Sequence, residues 1–358
     1  MFLSEQYALK DNQVTIVSVG FEDLPQYESF LEGKIKIYRL IAKRKNKEHC
    51  SFTEMADYLI KARGFCNKLL KSEKFDICQV FFGIPSGPIA FRLKKKYGVP
   101  YVIRFGGGDI PGFQNRFKVL YKLMGIPLKV IWKNADSLVA NSEGLKKFAM
   151  GFYDKCDIDI INNGVDADTF RPLEEKKKNG CVELLFVSRL IERKGLQFLI
   201  PHLRELEEKS GKKLHLTIVG DGPYREKLEQ IADLYSVRNM ISFEGQKDKN
   251  EIADYYHKGD VFVFPSMREG MPNVVLEAMA SGLPIIMRED CEGSRELIDG
   301  NGILATDDFC EALESYLELS EEDQRAMGTK SREKAVREFS WDSISDRYLN
   351  LFNEVIKK

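Results

Sequence analysis

The chain has 358 residues, 43% hydrophobic and 30% charged, which is room for two α/β domains of ordinary size. Lys and Arg total 54 against 55 Asp and Glu, but residues 1–165 carry 26 basic and 17 acidic side chains (net +9), and the remainder 28 and 38 (net −10). No apolar run approaches the ~20 residues of a membrane span. No signal peptide is visible, and seven cysteines without a C-x-x-C pair and four scattered histidines speak against a disulfide framework or a zinc site. The expectation is a cytoplasmic protein whose membrane contact, if any, is peripheral.

Met1 to Lys10 reads as the end of a helix and Val14 to Val19 as a strand. A doubly wound domain ordinarily opens with a strand and a Gly-rich turn before its first helix, and neither is found here. Either the chain starts late or its first β-α unit is abbreviated, and the expectation is the former. Ile35 to Leu40 is a strand and Phe52 to Lys71 a helix by its periodicity. Asp76 to Phe82 is a buried strand, followed by the turn Pro85 to Pro88 and a helix from Ile89 to Tyr97. Val99 to Phe105 is the next strand and runs into Gly106-Gly107-Gly108-Asp109-Ile110-Pro111-Gly112. Three successive glycines at a strand end suggest close approach of backbone to a ligand; the plainer alternative is a turn with a capping Asp.

Between Phe91 and Lys133 stand ten basic residues and one acidic residue, Asp109. Gln114 to Lys133, with Arg116, Lys118, Lys122, Lys129 and Lys133 among large apolar residues, is a basic amphipathic region broken near Pro127. A solvated helix face accounts for such a pattern, and so does contact with an anionic membrane or a phosphate-bearing acceptor. Nucleic acid is disfavoured, since no recognition motif accompanies the charge. Ser137 to Asn141 is a short strand, and Asn141-Ser142-Glu143 begins a helix. The charged run 174–179 marks a domain boundary on composition alone. The Asp157/Asp159 and Asp166/Asp168 triplets raise a metal-dependent transferase reading, but such triplets are frequent by chance.

From Val182 the chain alternates strand and helix. Val182 to Val187 is a strand, followed by Arg189, Lys194 and the helix Leu196 to Lys209. Leu214 to Val219 is the next strand, then Gly220-Asp221-Gly222-Pro223 with the proline at a helix N1 position. An Arg and a Lys at such a strand end are a pair suited to a diphosphate, one as a fork and one as a point charge. Ile241 to Gly245 is a further strand. No G-x-G-x-x-G follows a strand, which disfavours a nicotinamide dehydrogenase.

The stretch Phe264 to Met287, FPSMREGMPNVVLEAMASGLPIIM, organises the rest. VFVF ahead of it is a buried strand, Pro265 to Pro272 a loop, Asn273 an N-cap, and Val274 to Ser281 a helix stopped by Gly282 and Pro284. Glu277 is the only charge between Glu269 and Arg288, on a helix apolar all round. Unmet, such a carboxylate costs several kcal/mol, roughly, so a polar partner is required.

The string EGMPNVVLEAMASGLPII, with Glu269 and Glu277 separated by seven residues, resembles the donor-site signature of retaining glycosyltransferases of family 4. Asn162-Asn163-Gly164-Val165-Asp166 with Phe170-Arg171-Pro172 is similar to that family's interdomain linker, and Glu292 to Ile298 with Asn301-Gly302 continues its pattern. The resemblance covers about residues 75 to 358. One departure is Gly106, which stands where the family usually has His or Arg, while Asp109 matches.

The resemblance implies the GT-B fold, two Rossmann-like α/β domains facing across a cleft: 1–165 on the acceptor side, 166–340 binding the nucleotide sugar, and a final helix, 341–358, crossing back to the first. It implies transfer of a sugar, with retained anomeric configuration, from a nucleotide diphosphate sugar to a hydroxyl of a polysaccharide or lipid-linked acceptor. Arg189 and Lys194 would stabilise the leaving diphosphate with amides at the Asn273 helix N-terminus, and Glu269 would hold sugar hydroxyls. Glu277 would hold the ribose, and Gly220, Gly222, Gln246, Gly270, Met271 and Val274 complete the donor site. Gly106, Gly107, Gly108 and Asp109 would shape the acceptor side. No cofactor or metal is called for beyond the donor substrate. A nucleotide-sugar 2-epimerase and a catalytically idle donor-binding subunit are the rival readings.

Overall fold

The computed structural model describes the chain except residues 22–23, 46–49, 114–117, 174–179, 249–250, 268, 292 and 358, and of 118–120, 122 and 123 the backbone alone. The charged run 174–179, Arg116, Glu292 and the Lys118 and Lys122 side chains lie outside the described residues. The chain divides into two compact units, Met1–Asn162 with Ile344–Lys358, and Asn163–Ser343.

The first unit begins with helix α1 (Phe2–Leu9) and strands β1 (Val14–Val19), β2 (Tyr27–Phe30) and β3 (Ile35–Leu40). Helix α2 (Phe52–Ser72), β4 (Cys78–Phe81), α3 (Gly87–Tyr97), β5 (Tyr101–Arg104), α4 (Lys118–Asn134), β6 (Ser137–Ala140), α5 (Glu143–Phe152) and β7 (Asp159–Ile160) follow. These strands form two separate sheets. One has the order β1-β3-β2, with β1 parallel and β2 antiparallel to β3; the other is the parallel set β4-β5-β6-β7. Helices tie them together through tyrosines: Tyr58 of α2 donates to the Val17 carbonyl (3.4 Å), and Tyr7 of α1 to Gln79 Oε1 (3.3 Å).

Local chemistry sets the helix ends. Ser51 and Glu54 close a capping box on α2, with the Ser51 amide donating to Glu54 Oε2 at 2.6 Å. Gly98, at φ 75°, ends α3 in the left-handed conformation. The break expected near Pro127 does not occur; α4 runs through it. Pro127 removes one donor, but Leu128, Ile131 and Trp132 in the next turn are buried and hold the helix to the core.

The second unit holds β8 (Cys181–Val187), α6 (Leu196–Leu199), α7 (Leu203–Ser210), β9 (Lys213–Val219), α8 (Arg225–Leu234), β10 (Ile241–Gly245), α9 (Ile252–Lys258) and β11 (Val261–Phe264). It continues with α10 (Asn273–Ala280), β12 (Ile285–Arg288), α11 (Ser294–Leu297), β13 (Gly302–Ala305), α12 (Phe309–Glu318) and α13 (Glu321–Phe339). The helix expected over Leu196 to Lys209 is instead split by a 3-10 turn, Ile200–His202, because Pro201 cannot supply an amide donor. Its six strands are parallel in the order β10-β9-β8-β11-β12-β13. All four residues of β11, Val261 to Phe264, are inaccessible to solvent, as a central strand covered on both faces requires.

The last helix, α14 (Trp341–Lys357), begins at the end of the second unit, and its residues from Ile344 onward belong to the first. Ile344, Tyr348, Phe352 and Val355 make its buried stripe at helical spacing. Within the first unit, Phe352 meets the Tyr7 ring edge-on (5.7 Å) and Arg347 donates to Asn162 Oδ1 (3.0 Å). No helix among the described residues is long and apolar enough to cross a membrane.

Candidate donor site and acceptor-side loop

In the second unit the strand order reverses between β8 and β11, the point at which open α/β sheets take ligands beyond their carboxyl ends. The loops leaving those two strands are Ser188–Gly195 and Pro265–Pro272. Glu269 is the hub between them. Its Oε1 accepts from Lys194 Nζ (2.8 Å), Arg193 Nη1 (2.5 Å) and Ser266 Oγ (3.1 Å). Lys194 is buried, with its ammonium 5.1 Å from the centre of the Phe264 ring. Burial pushes this ammonium below the ordinary lysine range, the Glu269 carboxylate opposes that shift, and the neighbouring Arg193 adds to it. Two cations thus share one carboxylate, and the cluster carries a net positive charge. Arg189 lies on the same loop, exposed and without an ion pair among the described residues.

Helix α10 starts one residue earlier than its sequence suggests. Pro272 occupies the N-cap and Asn273 is the first helical residue, and no side chain caps the helix. Asn273 Oδ1 instead accepts from Asn163 Nδ2 (2.9 Å), which also reaches the Met271 carbonyl (3.2 Å). The partial positive charge of the α10 N-terminus is therefore left uncovered by its own side chains. Further along, Glu277 Oε2 accepts from the fully buried Tyr256 hydroxyl (2.7 Å). This phenol is a polar partner of the kind that Glu277 requires on its apolar helix. Val274 is half-buried, Met271 buried and Gln246 exposed at the end of β10.

The glycines in these loops serve chain-to-chain packing. A Cβ on Gly220 (φ 131°) would lie 1.9 Å from the Ser188 carbonyl oxygen, one on Gly222 2.3 Å from that of Leu190, and one on Gly195 2.1 Å from that of Pro265. Gly270 is approached in the same way by Gly293, whose Cβ would lie 2.2 Å from its carbonyl oxygen. The close approach expected of Gly220 and Gly222 is therefore made first by neighbouring backbone. Leu190 donates to the Asp221 carbonyl and accepts from the Tyr224 amide, zipping the two loops together. Pro223 stands before the Tyr224 N-cap, not at the N1 position expected of it. Cys291 completes the framework, with Sγ donating to the Ser266 carbonyl at 2.8 Å.

In the first unit Asp109 is buried, and its carboxylate turns inward to accept from the Gly83 amide (2.6 Å) and the Gly106 amide (2.9 Å). It pins the 106–112 loop to the turn after β4. Burial raises its pKa, and these amides oppose the rise. Gly106 is exposed, Gly107 buried at φ 91°, and Gly108 accepts from the Tyr121 hydroxyl. The Asp-x-Asp triplets have local uses: Asp166 Oδ1 accepts from the Asp168 and Thr169 amides, and Asp159 Oδ2 from Ser137 Oγ. Among the described residues no group of three or more His, Cys, Asp and Glu is placed to hold a metal ion.

Sequence reasoning did not single out Arg193, Ser266, Tyr256, Asn163 as a loop clamp, or Cys291. Arg193 is adjacent to Lys194 and Ser266 to Pro265, so inspection of the flanking residues would have found both. Tyr256 stands on a different helix from Glu277, and nothing in its local pattern points to it.

Two α/β units, the second doubly wound with its polar cluster at the switch point, define the GT-B class of fold. The profile of glycosyl transferases group 1 matches residues 169–337, and that of glycosyltransferase family 4 matches residues 2–169. The chain belongs to the family 4 glycosyltransferases of group 1 type. An uncharacterised glycosyltransferase of Methanocaldococcus jannaschii is 26% identical over 331 residues, covering 88% of this chain and 85% of the relative. The lipopolysaccharide core biosynthesis glycosyltransferase LpsE of Rhizobium meliloti is 26% identical over 252 residues, covering 68% and 71%. Among solved structures, sucrose-phosphate synthase from Thermosynechococcus elongatus superposes with a TM-score of 0.77 at 19% identity, over 99% of this chain and 92% of that one. At that identity the likeness bears on the fold alone.

Proposed function

We propose that the chain transfers a sugar from a nucleotide diphosphate sugar to a hydroxyl of a polysaccharide or lipid-linked acceptor, with retention at the anomeric carbon. The observation that carries this reading is the cluster at the switch point: Lys194 and Arg193 on one carboxylate, Arg189 exposed on the same loop, and the uncovered N-terminus of α10. Departure of a nucleoside diphosphate places negative charge on a phosphate oxygen. Cations and helix amides fixed in advance stabilise that charge by roughly 3 kcal/mol per well-placed donor. Arg189 and Lys194 take the diphosphate in this proposal, and Glu269 takes sugar hydroxyls once a phosphate competes for its lysine. Glu277, oriented by Tyr256, takes the ribose. The leaving phosphate oxygen accepts the acceptor's proton, so no protein general base is assigned, and the proposal calls on no metal ion.

The part of LpsE in lipopolysaccharide core biosynthesis supports a surface-glycan acceptor. The basic 91–133 region supports work at the inner face of a membrane. On α4, Ile126 and Val130 are exposed beside exposed Lys129 and Lys133, a mixed apolar and cationic face suited to anionic lipid.

Isothermal titration of UDP and GDP against wild type, Glu277→Ala and Arg189→Ala tests the donor site. The expected outcome is binding of one nucleotide, weakened by both substitutions by about tenfold or more, which is about 1.4 kcal/mol. Binding of neither nucleotide, or equal binding in all three proteins, would sink the assignment.

A further inference from the structure

We propose that the ring of Phe82 is a substrate-contacting surface that takes the apolar face of a pyranose in the acceptor. The proposal rests on the glycosyl-transfer reading above. It begins from a residue that is costly where it stands. Phe82 follows β4, and its backbone sits at φ 72°, a region that a bulky L-residue avoids. Its side chain is also 46% exposed, so the strained backbone is not offset by burying the ring. A strained residue that leaves its side chain half exposed is a candidate for function.

The ring has a definite seat. The Phe82 amide still donates to the Arg104 carbonyl (2.9 Å), which fixes it at the carboxyl end of the β4-β5 pair. From there the ring lies against Gly106: a Cβ on that glycine would meet ring carbons at 2.0, 2.5 and 2.9 Å. Position 106 is where the resemblance leads one to expect a His or Arg side chain. Here that space is filled by an aromatic ring from another strand, which explains why the residue is glycine. A second ring repeats the arrangement next door, since a Cβ on Gly107 would lie 2.9 Å from Cζ of Phe113, itself 48% exposed.

The loop thus presents two half-exposed rings backed by peptide groups, at the ends of parallel strands where α/β sheets take ligands. The chemistry of the surface selects the occupant. One face of a pyranose is lined by C–H bonds and packs flat on an aromatic ring, while its equatorial hydroxyls need polar partners at the ring's edge. The carbonyl of exposed Gly106, whose amide is already given to Asp109, can accept from one of them beside Phe82. An acyl chain would gain nothing from those peptide groups and would leave them dry.

Saturation-transfer NMR on the full chain tests this, with methyl glucoside, galactoside, mannoside and N-acetylglucosaminide as probes. UDP and GDP titrations are run in parallel. At least one pyranoside is expected to receive saturation at the C–H groups of one ring face. Phe82→Gly, which relieves the backbone strain, reduces that signal about fivefold to tenfold, and Phe82→Trp retains it. Gly106→Ala, which displaces the ring while leaving Phe82 in the chain, reduces it as well. Nucleotide affinity is unchanged in all three variants. Equal saturation in Phe82→Gly and wild type overturns the proposal, as does the absence of saturation from every pyranoside. Loss of binding to phosphatidylglycerol vesicles in Phe82→Gly with pyranoside contact intact overturns it in favour of a lipid-facing ring. Failure of nucleotide binding in wild type would count instead against the donor-site reading.

Discussion

The two units hold their functional loops by different means. In the second unit, one six-stranded parallel sheet and one continuous apolar core carry loops that are locked backbone to backbone. Gly195, Gly220 and Gly293 let one loop lie on the carbonyl of the next, and Lys194 with Glu269 adds a charged tie between them. In the first unit, two short sheets rest on several smaller apolar clusters. Its glycine loop is held by side chains, the Asp109 carboxylate and the Tyr121 hydroxyl, and is covered by aromatic rings in place of backbone. Loops built the first way are held by contacts between backbone atoms that no side-chain rotation relieves. A loop built the second way changes shape with one or two side chains, which suits the acceptor role proposed for it.

Breaking a backbone lock carries the largest expected effect. Gly220→Ala forces a Cβ to within 1.9 Å of the Ser188 carbonyl oxygen at a φ of 131°. Neither the strand end nor the loop can yield, so unfolding free energy should fall by more than about 3 kcal/mol in urea melts. Gly211→Ala is the control: its φ is 65° but nothing lies within 4 Å, so only the left-handed backbone penalty applies, about 1 kcal/mol. Equal losses in the two proteins would show that the loops are not locked as described.

Asp109→Asn tests the side-chain lock and should cost less, about 1 to 3 kcal/mol. The amide keeps one acceptor oxygen for two backbone donors, so its NH2 group must face either the Gly83 or the Gly106 amide. Nucleotide affinity should not change, because these contacts are confined to the first unit. If Asp109→Asn melts like wild type, the carboxylate is not what pins the loop.

The difference between the units also accounts for what could be read from sequence. Arg189, Lys194, Glu269 and Glu277 occupy the loops after β8 and β11 and the helix that follows, and strand alternation alone placed those loops. The polarity of Glu277 on an apolar helix announced a partner. It did not name Tyr256, because a contact between residues 21 apart on different helices leaves no periodic trace. Helix α4 shows the opposite error: Pro127 is a strong local breaker, but the burial of Leu128, Ile131 and Trp132 outweighs it. Strand β2, exposed at a sheet edge with the sequence YESF, carried too little apolar alternation to be recognised. At Gly106 the departure from the family pattern was plain in the sequence, whereas the ring that fills the gap comes from Phe82, just past the end of β4, where no periodicity marks it.

The smallest expected effect is one of acidity, and it separates the first unit's helix from its loops. Glu54 closes the capping box of α2, and its carboxyl is lowered from an ordinary 4.5 to about 2 by hydrogen bonds from the Ser51 hydroxyl, the Ser51 amide and the Lys45 amide. A carboxyl whose folded pKa is depressed contributes fully above its unfolded value, and the contribution is lost as pH falls through the folded one. Wild type should therefore lose this increment between about pH 4.5 and pH 2. Glu54→Gln, which keeps the shape of the box but cannot ionise, should lack that slope. Circular dichroism of both proteins over that range measures the difference. Because α2 packs on the small cluster around Ala62, Cys66 and Leu93, the change should appear first as loss of helix in the first unit. If the two proteins lose helix in parallel across the window, the capping carboxylate is not charged as its partners require.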